Sequence, residues 1–110
     1  MKGSLKSETA DEPDLTSIDL VTVLDALADP VRLEIVRQLA GCGAGELSCG
    51  QIELPVGKST TSHHLKVLSS AGVIASRQEG TRKYVSLRRP ALDRRFPGLI
   101  DSVLQSASAG

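Results

Sequence analysis

The chain has 110 residues, 40% of them hydrophobic and 24% charged, and its formal net charge is zero. This length and composition are typical of one globular domain. Two cysteines, no tryptophan and single copies of tyrosine and phenylalanine exclude a disulfide framework and an aromatic platform for single-stranded nucleic acid. Since the chain contains neither a membrane-spanning apolar stretch nor a signal-peptide core, we expect a cytoplasmic protein without membrane contact.

The limits of the domain are marked by composition. Residues 1–14 are almost entirely polar and charged, which predicts a disordered N-terminal tail. The folded domain is expected over residues 15–105, and residues 106–110 are expected to fray.

Two helices are predicted first. Apolar residues between Ile18 and Ala28 cover more than one helical face, which indicates a helix packed on two sides, in part by another subunit. Asp29 and Pro30 are a helix-start signal, and the second helix should end in the glycine-rich loop at residues 41–45.

A helix-turn-helix pair is predicted next. The stretch from Glu46 to Leu54 is interpreted as a short helix that stops before Pro55, and Ser59 is expected to cap a second helix from Thr60 to Ala71. The spacing of the second helix buries one face and exposes another, which carries Thr60, Ser62, His63 and Lys66.

A β-hairpin and a C-terminal helical segment complete the prediction. Residues 73–77 and 83–87 are predicted strands, joined by a turn over residues 78–81. Beyond Pro90, one helical stripe carries Leu92, Phe96, Leu99, Ile100, Val103 and Leu104. Pro97 must either begin a helix or kink one.

Charge is distributed unevenly along the chain. Residues 1–57 hold four basic and ten acidic side chains, whereas residues 58–95 hold nine basic and two acidic ones. A basic segment within a neutral protein favours a phosphate-facing surface over a merely solvated one.

Three segments together resemble the ArsR/SmtB family of winged helix-turn-helix transcriptional regulators: ALADPVRLEIVRQLA, ELSCGQI and STTSHHLKVLSSAGVIASRQEGTRKYVSL. The resemblance spans about residues 18 to 105, and SHHLKVLSSAGVI followed by the wing residues is its most specific part. It implies a mainly helical fold with a small β-hairpin, a homodimer, a double-stranded DNA operator with two half-sites and, usually, a small effector.

The expected DNA-binding residues lie on the second helix of the pair and on the wing. Short polar side chains allow a helix to enter the major groove, and basic residues of the wing can contact the DNA backbone. The predicted contacts are Ser59, Thr60, Ser62, His63, Lys66, Arg77, Arg82 and Lys83. Thr60 and His63 are the expected base contacts.

A dimer interface is predicted because a small core cannot cover every apolar face of the first and last helices. Its expected residues are Val21, Leu24, Leu92, Phe96, Leu99, Ile100, Val103 and Leu104. The alternative is that these helices simply cover the core of one monomer.

The effector stays open between a metal ion, thiol chemistry and a helper or sensor protein. Ser48 and Gly50 stand where the family's thiolate motif has cysteines, with Cys49 between them, so one thiolate cannot form that site. No cofactor is expected to be required; His63 and His64 could bind nickel or zinc weakly. Cys42 and Cys49 are the candidates for a redox switch, against a plain packing role.

Two other classes of function compete with DNA binding. Catalysis is not expected, because the two histidines lie side by side on a surface helix and no third group orients them; a glycine is also missing from the P-loop-like string at residues 57–60. The alternative to a DNA-binding regulator is a winged-helix module that contacts only proteins.

Overall fold

The computed structural model describes residues 17–42 and 45–109, so the predicted tail over residues 1–14 lies outside the described residues. The helices are α1 (Leu20–Leu27), α2 (Pro30–Gly41), α3 (Lys58–Ser70), α4 (Arg89–Arg95) and α5 (Leu99–Ala109). The strands are β1 (Leu47–Ser48), β2 (Ile74–Glu79) and β3 (Arg82–Leu87). The predicted mainly helical fold with a β-hairpin is confirmed. Across the described residues, none of the helices has the length and apolarity to span a membrane.

Two aspartates start the first two helices. The side chain of Asp19 accepts a hydrogen bond from the backbone N–H of Thr22 at 3.0 Å. The side chain of Asp29 accepts from the N–H groups of Val31 and Arg32 at 2.9 and 3.1 Å, with Pro30 in the first turn. These bonds satisfy amides that have no partner within the helix, as the sequence predicts for Asp29.

The start of α3 differs from the prediction. The helix begins at Lys58 after the N-cap Gly57, so Ser59 is not the cap but an exposed residue of the first turn. Thr61 donates its hydroxyl and its N–H to the carbonyl oxygen of Gly57, which places Gly57 at the helix boundary.

The predicted helix over residues 46–54 was wrong. Leu47 and Ser48 form the short strand β1, and a single 3-10 turn, Cys49–Gln51, follows it. The side chain of Gln51 accepts from the N–H of Ser48 at 2.9 Å, and Leu47 pairs with Val85 of β3. Pairing with β3 therefore takes residues that a helix would need.

The sheet is antiparallel with strand order β1, β3, β2. In the hairpin, Ile74 lies opposite Leu87 and Glu79 lies opposite Arg82. Only Gly80 and Thr81 separate the strands, a shorter turn than predicted, and Gly80 takes the positive φ of 62° that a tight hairpin turn favours. This hairpin is the wing.

The C-terminal stripe is divided between two helices. α4 and α5 are separated at residues 96–98, where Gly98 has a φ of +85°. Leu92 and Ile100 are both 0% exposed in the core of their own chain, so the prediction that they form a dimer interface was wrong. α5 continues to Ala109, past the end expected near Gln105.

Candidate nucleic-acid interface

The exposed face of α3 is the one that the spacing predicts. Leu65 and Leu68 are buried and attach the helix to the core, and Val67 packs against them from the side. The opposite side of the helix is in solvent and carries Ser59, Thr60, Ser62, His63 and Lys66. A face of small hydroxyls with one imidazole and one ammonium group can approach base edges closely. The contacts of these residues with DNA stay a prediction.

Four exposed basic side chains on α3 and the wing have no ion pair with any carboxylate that the structure describes: Lys58, Lys66, Arg82 and Lys83. Arg82 and Lys83 begin β3, next to the turn of the wing. Since no carboxylate competes for them, these charges are available for DNA phosphates.

Arg77 differs from the other predicted wing contacts. Its guanidinium donates to the carboxylate of Glu46 at 2.5 Å and to that of Glu79 at 2.7 Å, and it lies 4.6 Å above the ring of Tyr84. The bonds with Glu46, and then with Glu79, raise the pKa of Arg77. Two carboxylates therefore neutralise this charge locally, and Arg77 links the middle of β2 to the segment before β1. A contact with DNA would compete with both ion pairs.

A groove of about 390 Å³ lies between α3 and the sheet. Lys66 of α3 and Lys83 of β3 line it from two sides, and Leu65 and Val85 are among its apolar residues. Its hydroxyl groups come from Ser62, Ser69, Ser70 and Ser76. Two ammonium groups and several hydroxyls are donors that suit a phosphate oxygen, so the backbone of a duplex read by α3 can follow this groove.

The two histidines have different surroundings. His63 is exposed, whereas His64 is half-buried, and the ring centroids are 5.7 Å apart. Nδ1 of His64 lies 3.1 Å from Nη1 of Arg32, a residue of α2 that is 32 positions away. Sequence reasoning missed this contact because no local spacing relates the two positions. Over residues 17–42 and 45–109 there is no group of three His, Cys, Asp or Glu side chains that could hold a metal ion.

Both cysteines are free and half-buried. The thiol of Cys42 donates to the carbonyl oxygen of Leu39 at 3.1 Å, and Cys49 packs against the core. These contacts are those of small packing residues. A redox role for the pair stays a prediction.

An apolar face of α1 is left in solvent. Leu20, Val21 and Leu24 are 42%, 72% and 45% exposed. We call these three residues the α1 apolar face; Leu20 is one that the sequence analysis did not include. A groove between Leu24 and Val103 of α5 adjoins it. Of the other predicted interface residues, those only half-buried in their own chain are Phe96, Leu99, Val103 and Leu104.

Comparison with known proteins identifies similar regulators. A family model described as a helix-turn-helix domain matches residues 27–77. The chain is 39% identical over 83 residues to the uncharacterized HTH-type transcriptional regulator YceK of Bacillus subtilis, a match that covers 74% of this chain and 82% of that protein. It is 36% identical over 77 residues to an arsenical resistance operon repressor of Staphylococcus xylosus, covering 68% and 71% of the two chains.

A solved structure is also similar. It is described as a possible transcriptional regulator for arsenical resistance and superposes with a TM-score of 0.60 at 28% sequence identity. The match covers 83% of this chain and 96% of the other. The similarity therefore extends over most of the chain rather than one short motif.

Proposed function

The chain belongs to the ArsR-type family of helix-turn-helix transcriptional regulators, DNA-binding proteins that are not enzymes, and from this premise we propose that it binds a duplex operator sequence-specifically as a homodimer. In this proposal α3 enters the major groove and the wing contacts the backbone. The relatives named above give no support to a module that contacts only proteins. Because such a regulator acts on DNA, we place it in the cytoplasm.

The proposed DNA interface rests on one observation. The polar face of α3 borders a groove in which Lys66 and Lys83 have no carboxylate partner among the described residues. By contrast, Arg77 in the middle of β2 and Arg37 and Arg89 outside α3 and the wing are all in ion pairs. Four basic side chains without an ion pair among the described residues thus lie on α3 and the wing, while Arg94 and Arg95 lie apart from them on α4.

Fluorescence anisotropy tests the proposal directly. The purified protein would be titrated with a duplex from its own upstream region and with a scrambled duplex over a series of salt concentrations. We expect Lys58, Lys66, Arg82 and Lys83 each to contact one phosphate, which makes eight contacts in a dimer. The slope of log K against the logarithm of the salt concentration should therefore be about −7. The same affinity for both duplexes, without salt dependence, would contradict the proposal.

The homodimer is proposed from the exposed α1 apolar face. A two-fold interface of α1 and α5 would cover Leu20, Val21 and Leu24 of both subunits at once. It would also place the two α3 helices about one DNA turn apart, roughly 34 to 36 Å. Coverage of exposed apolar side chains is the physical reason for the assembly, because each contributes about 1.5 to 3 kcal/mol when it is buried completely.

Thr60 and His63 should determine operator preference. We expect Thr60→Val, which keeps the side-chain shape but removes the hydroxyl, to weaken operator binding about ten-fold or more, because a dimer loses one base contact in each half-site. His63→Ala should act likewise. Binding to the scrambled duplex should change little, since base contacts contribute little there.

Lys66→Ala is the matched control on the same face of α3. It should weaken binding to both duplexes by a similar factor, because a lysine that contacts phosphate does not read sequence. If Thr60→Val also lowered both affinities equally, the assignment of base contacts would be wrong.

For the cofactor, we propose that DNA binding requires none. Nδ1 of His64 accepts from Arg32, so it is not free to bind a metal ion. His63 and His64 can therefore offer a divalent ion at most one ring nitrogen each, and Nε2 of His64 would have to lose its proton first. We therefore expect zinc or nickel at low micromolar concentration to leave the anisotropy titration unchanged, with a chelator-treated sample as the reference. A reproducible shift that disappears in His63→Ala would instead identify this pair as a metal site.

A further inference from the structure

Arg32 links the end of α1 to the DNA-reading helix. Its Nε donates to the carbonyl oxygen of Ala26 at 2.6 Å, and its Nη2 to that of Asp25 at 3.5 Å. Both carbonyls belong to the last turn of α1, and that of Asp25 also accepts from the N–H of the C-cap residue Ala28 at 3.1 Å. The third donor, Nη1, lies 3.1 Å from Nδ1 of His64 on α3. One half-buried guanidinium thus joins three helices.

The guanidinium of Arg32 determines which ring nitrogen of neutral His64 carries the proton. Arginine is always protonated and has no acceptor atom, so Nδ1 of His64 must be the acceptor and cannot carry a proton. Neutral His64 then carries its proton on Nε2. A doubly protonated imidazole would lose this hydrogen bond and would place a positive charge against Arg32.

We infer that Arg32 is a positioning residue for DNA recognition, which holds α3 against the end of α1 through the unprotonated Nδ1 of His64, and that protonation of His64 weakens operator binding. The inference rests on the proposed function, because it takes α3 as the helix that reads the operator. His64 is not among the predicted DNA contacts, so its effect on operator binding is indirect.

The charged groups around His64 come from each of the three helices. On α2, the carboxylate of Asp29 attracts a protonated imidazole, whereas Arg32 repels it; Asp29 is itself held by the N–H of Arg32, which lowers the pKa of Asp29. On α3, the neighbouring ring is that of His63, and on α1 Arg32 binds the carbonyl oxygen of Asp25. Attraction by Asp29 does not restore the lost bond.

The sign of the pH effect separates this inference from ordinary electrostatics. As the pH falls, protonation of carboxylates and of His63 makes the protein more positive and should tighten its binding to DNA. Release of His64 from Arg32 acts in the opposite direction. A fall in operator affinity toward acid pH therefore has no simple charge explanation.

The test compares the wild type with His64→Asn, so that both proteins keep the base contact proposed for His63 and differ only at position 64. Operator affinity is measured by anisotropy between about pH 5.5 and 7.5, at a salt concentration low enough for binding to stay measurable. We expect about a ten-fold loss at the acid end. In His64→Asn, the asparagine oxygen can still accept from Arg32 but is not protonated in this range, so the loss should disappear.

A pair of variants tests Arg32 itself. Arg32→Lys keeps the charge but cannot bind all three acceptors, so operator affinity should fall about ten-fold at pH 7.5 while scrambled-duplex affinity is unchanged. Arg37→Lys is the control, because Arg37 lies on the same helix and pairs with Glu34 instead of reaching α3. Circular dichroism reports whether each variant folds.

Failure of this inference and failure of the proposed function give different results. If the wild type and His64→Asn show the same dependence of operator affinity on pH, the inference is overturned even when the wild type prefers its operator. If Arg32→Lys does not fold, the comparison with His64→Asn decides. No operator preference by the wild type at pH 7.5 would instead be a failure of the proposed function.

Discussion

Val21→Glu is expected to convert the protein into a folded monomer and to lower operator affinity about a hundred-fold or more. Val21 is 72% exposed in its own chain, so the glutamate would stay in solvent and leave the core unchanged. In a two-fold dimer, however, the substitution would place two carboxylates in an apolar interface. A monomer can occupy only one half-site, so the gain from simultaneous binding of both half-sites is lost.

Sedimentation velocity at micromolar concentration, together with anisotropy on the operator duplex, would measure this result. Ala40→Glu is the matched control, because Ala40 is likewise an exposed apolar residue of a helix but lies on α2, outside the proposed interface. We expect this control to stay dimeric and to bind normally. Wild-type protein that sediments as a monomer, or a Val21→Glu protein that stays dimeric, would show that the α1 apolar face is not the interface.

Arg82→Glu is expected to weaken binding to operator and scrambled duplexes alike, by about a hundred-fold at moderate salt. Arg82 is exposed beside the turn of the wing and has no ion pair among the described residues. Its reversal would remove one phosphate contact per subunit and add a repulsive charge. The salt slope should therefore become shallower by about 2 for a dimer.

Arg94→Glu separates position from net charge. Arg94 is also exposed and changes the total charge by the same amount, but it lies in the last turn of α4 and not on α3 or the wing. We expect only a small effect on either duplex. Losses of equal size for Arg82→Glu and Arg94→Glu would mean that overall charge, and not a contact by the wing, controls the affinity.

The two faces of α3 could be predicted from local spacing, but its start could not. Leu65 and Leu68 recur at helical intervals, and that periodicity alone indicates which side packs against the core. The N-cap depends instead on the backbone conformation of the preceding loop. Gly57 takes the extended conformation of an N-cap, and Ser59 is the second residue of the helix.

The strand β1 and the burial of Leu92 and Ile100 were not predicted, for a different reason. β1 exists because Leu47 and Ser48 meet Val85 and Tyr84 of β3, a pairing that two residues cannot indicate in advance. Leu92 and Ile100 share an apolar pattern with Phe96 and Leu99. The break between α4 and α5 nevertheless leaves Leu92 and Ile100 buried in the core, whereas Phe96 and Leu99 are only half-buried.

The class of fold, the exposed face of α3, the presence of the wing and membership of a family of DNA-binding regulators all follow from sequence patterns. These depend on periodicity, turn residues and motif spacing, all of which are local. Tertiary structure alone decided which charges are free. Arg77 meets Glu46 across 31 positions, and Arg32 meets His64 across 32. Contacts of this range form only when packing brings distant elements together, and they neutralise one predicted DNA contact while giving His64 an unexpected partner.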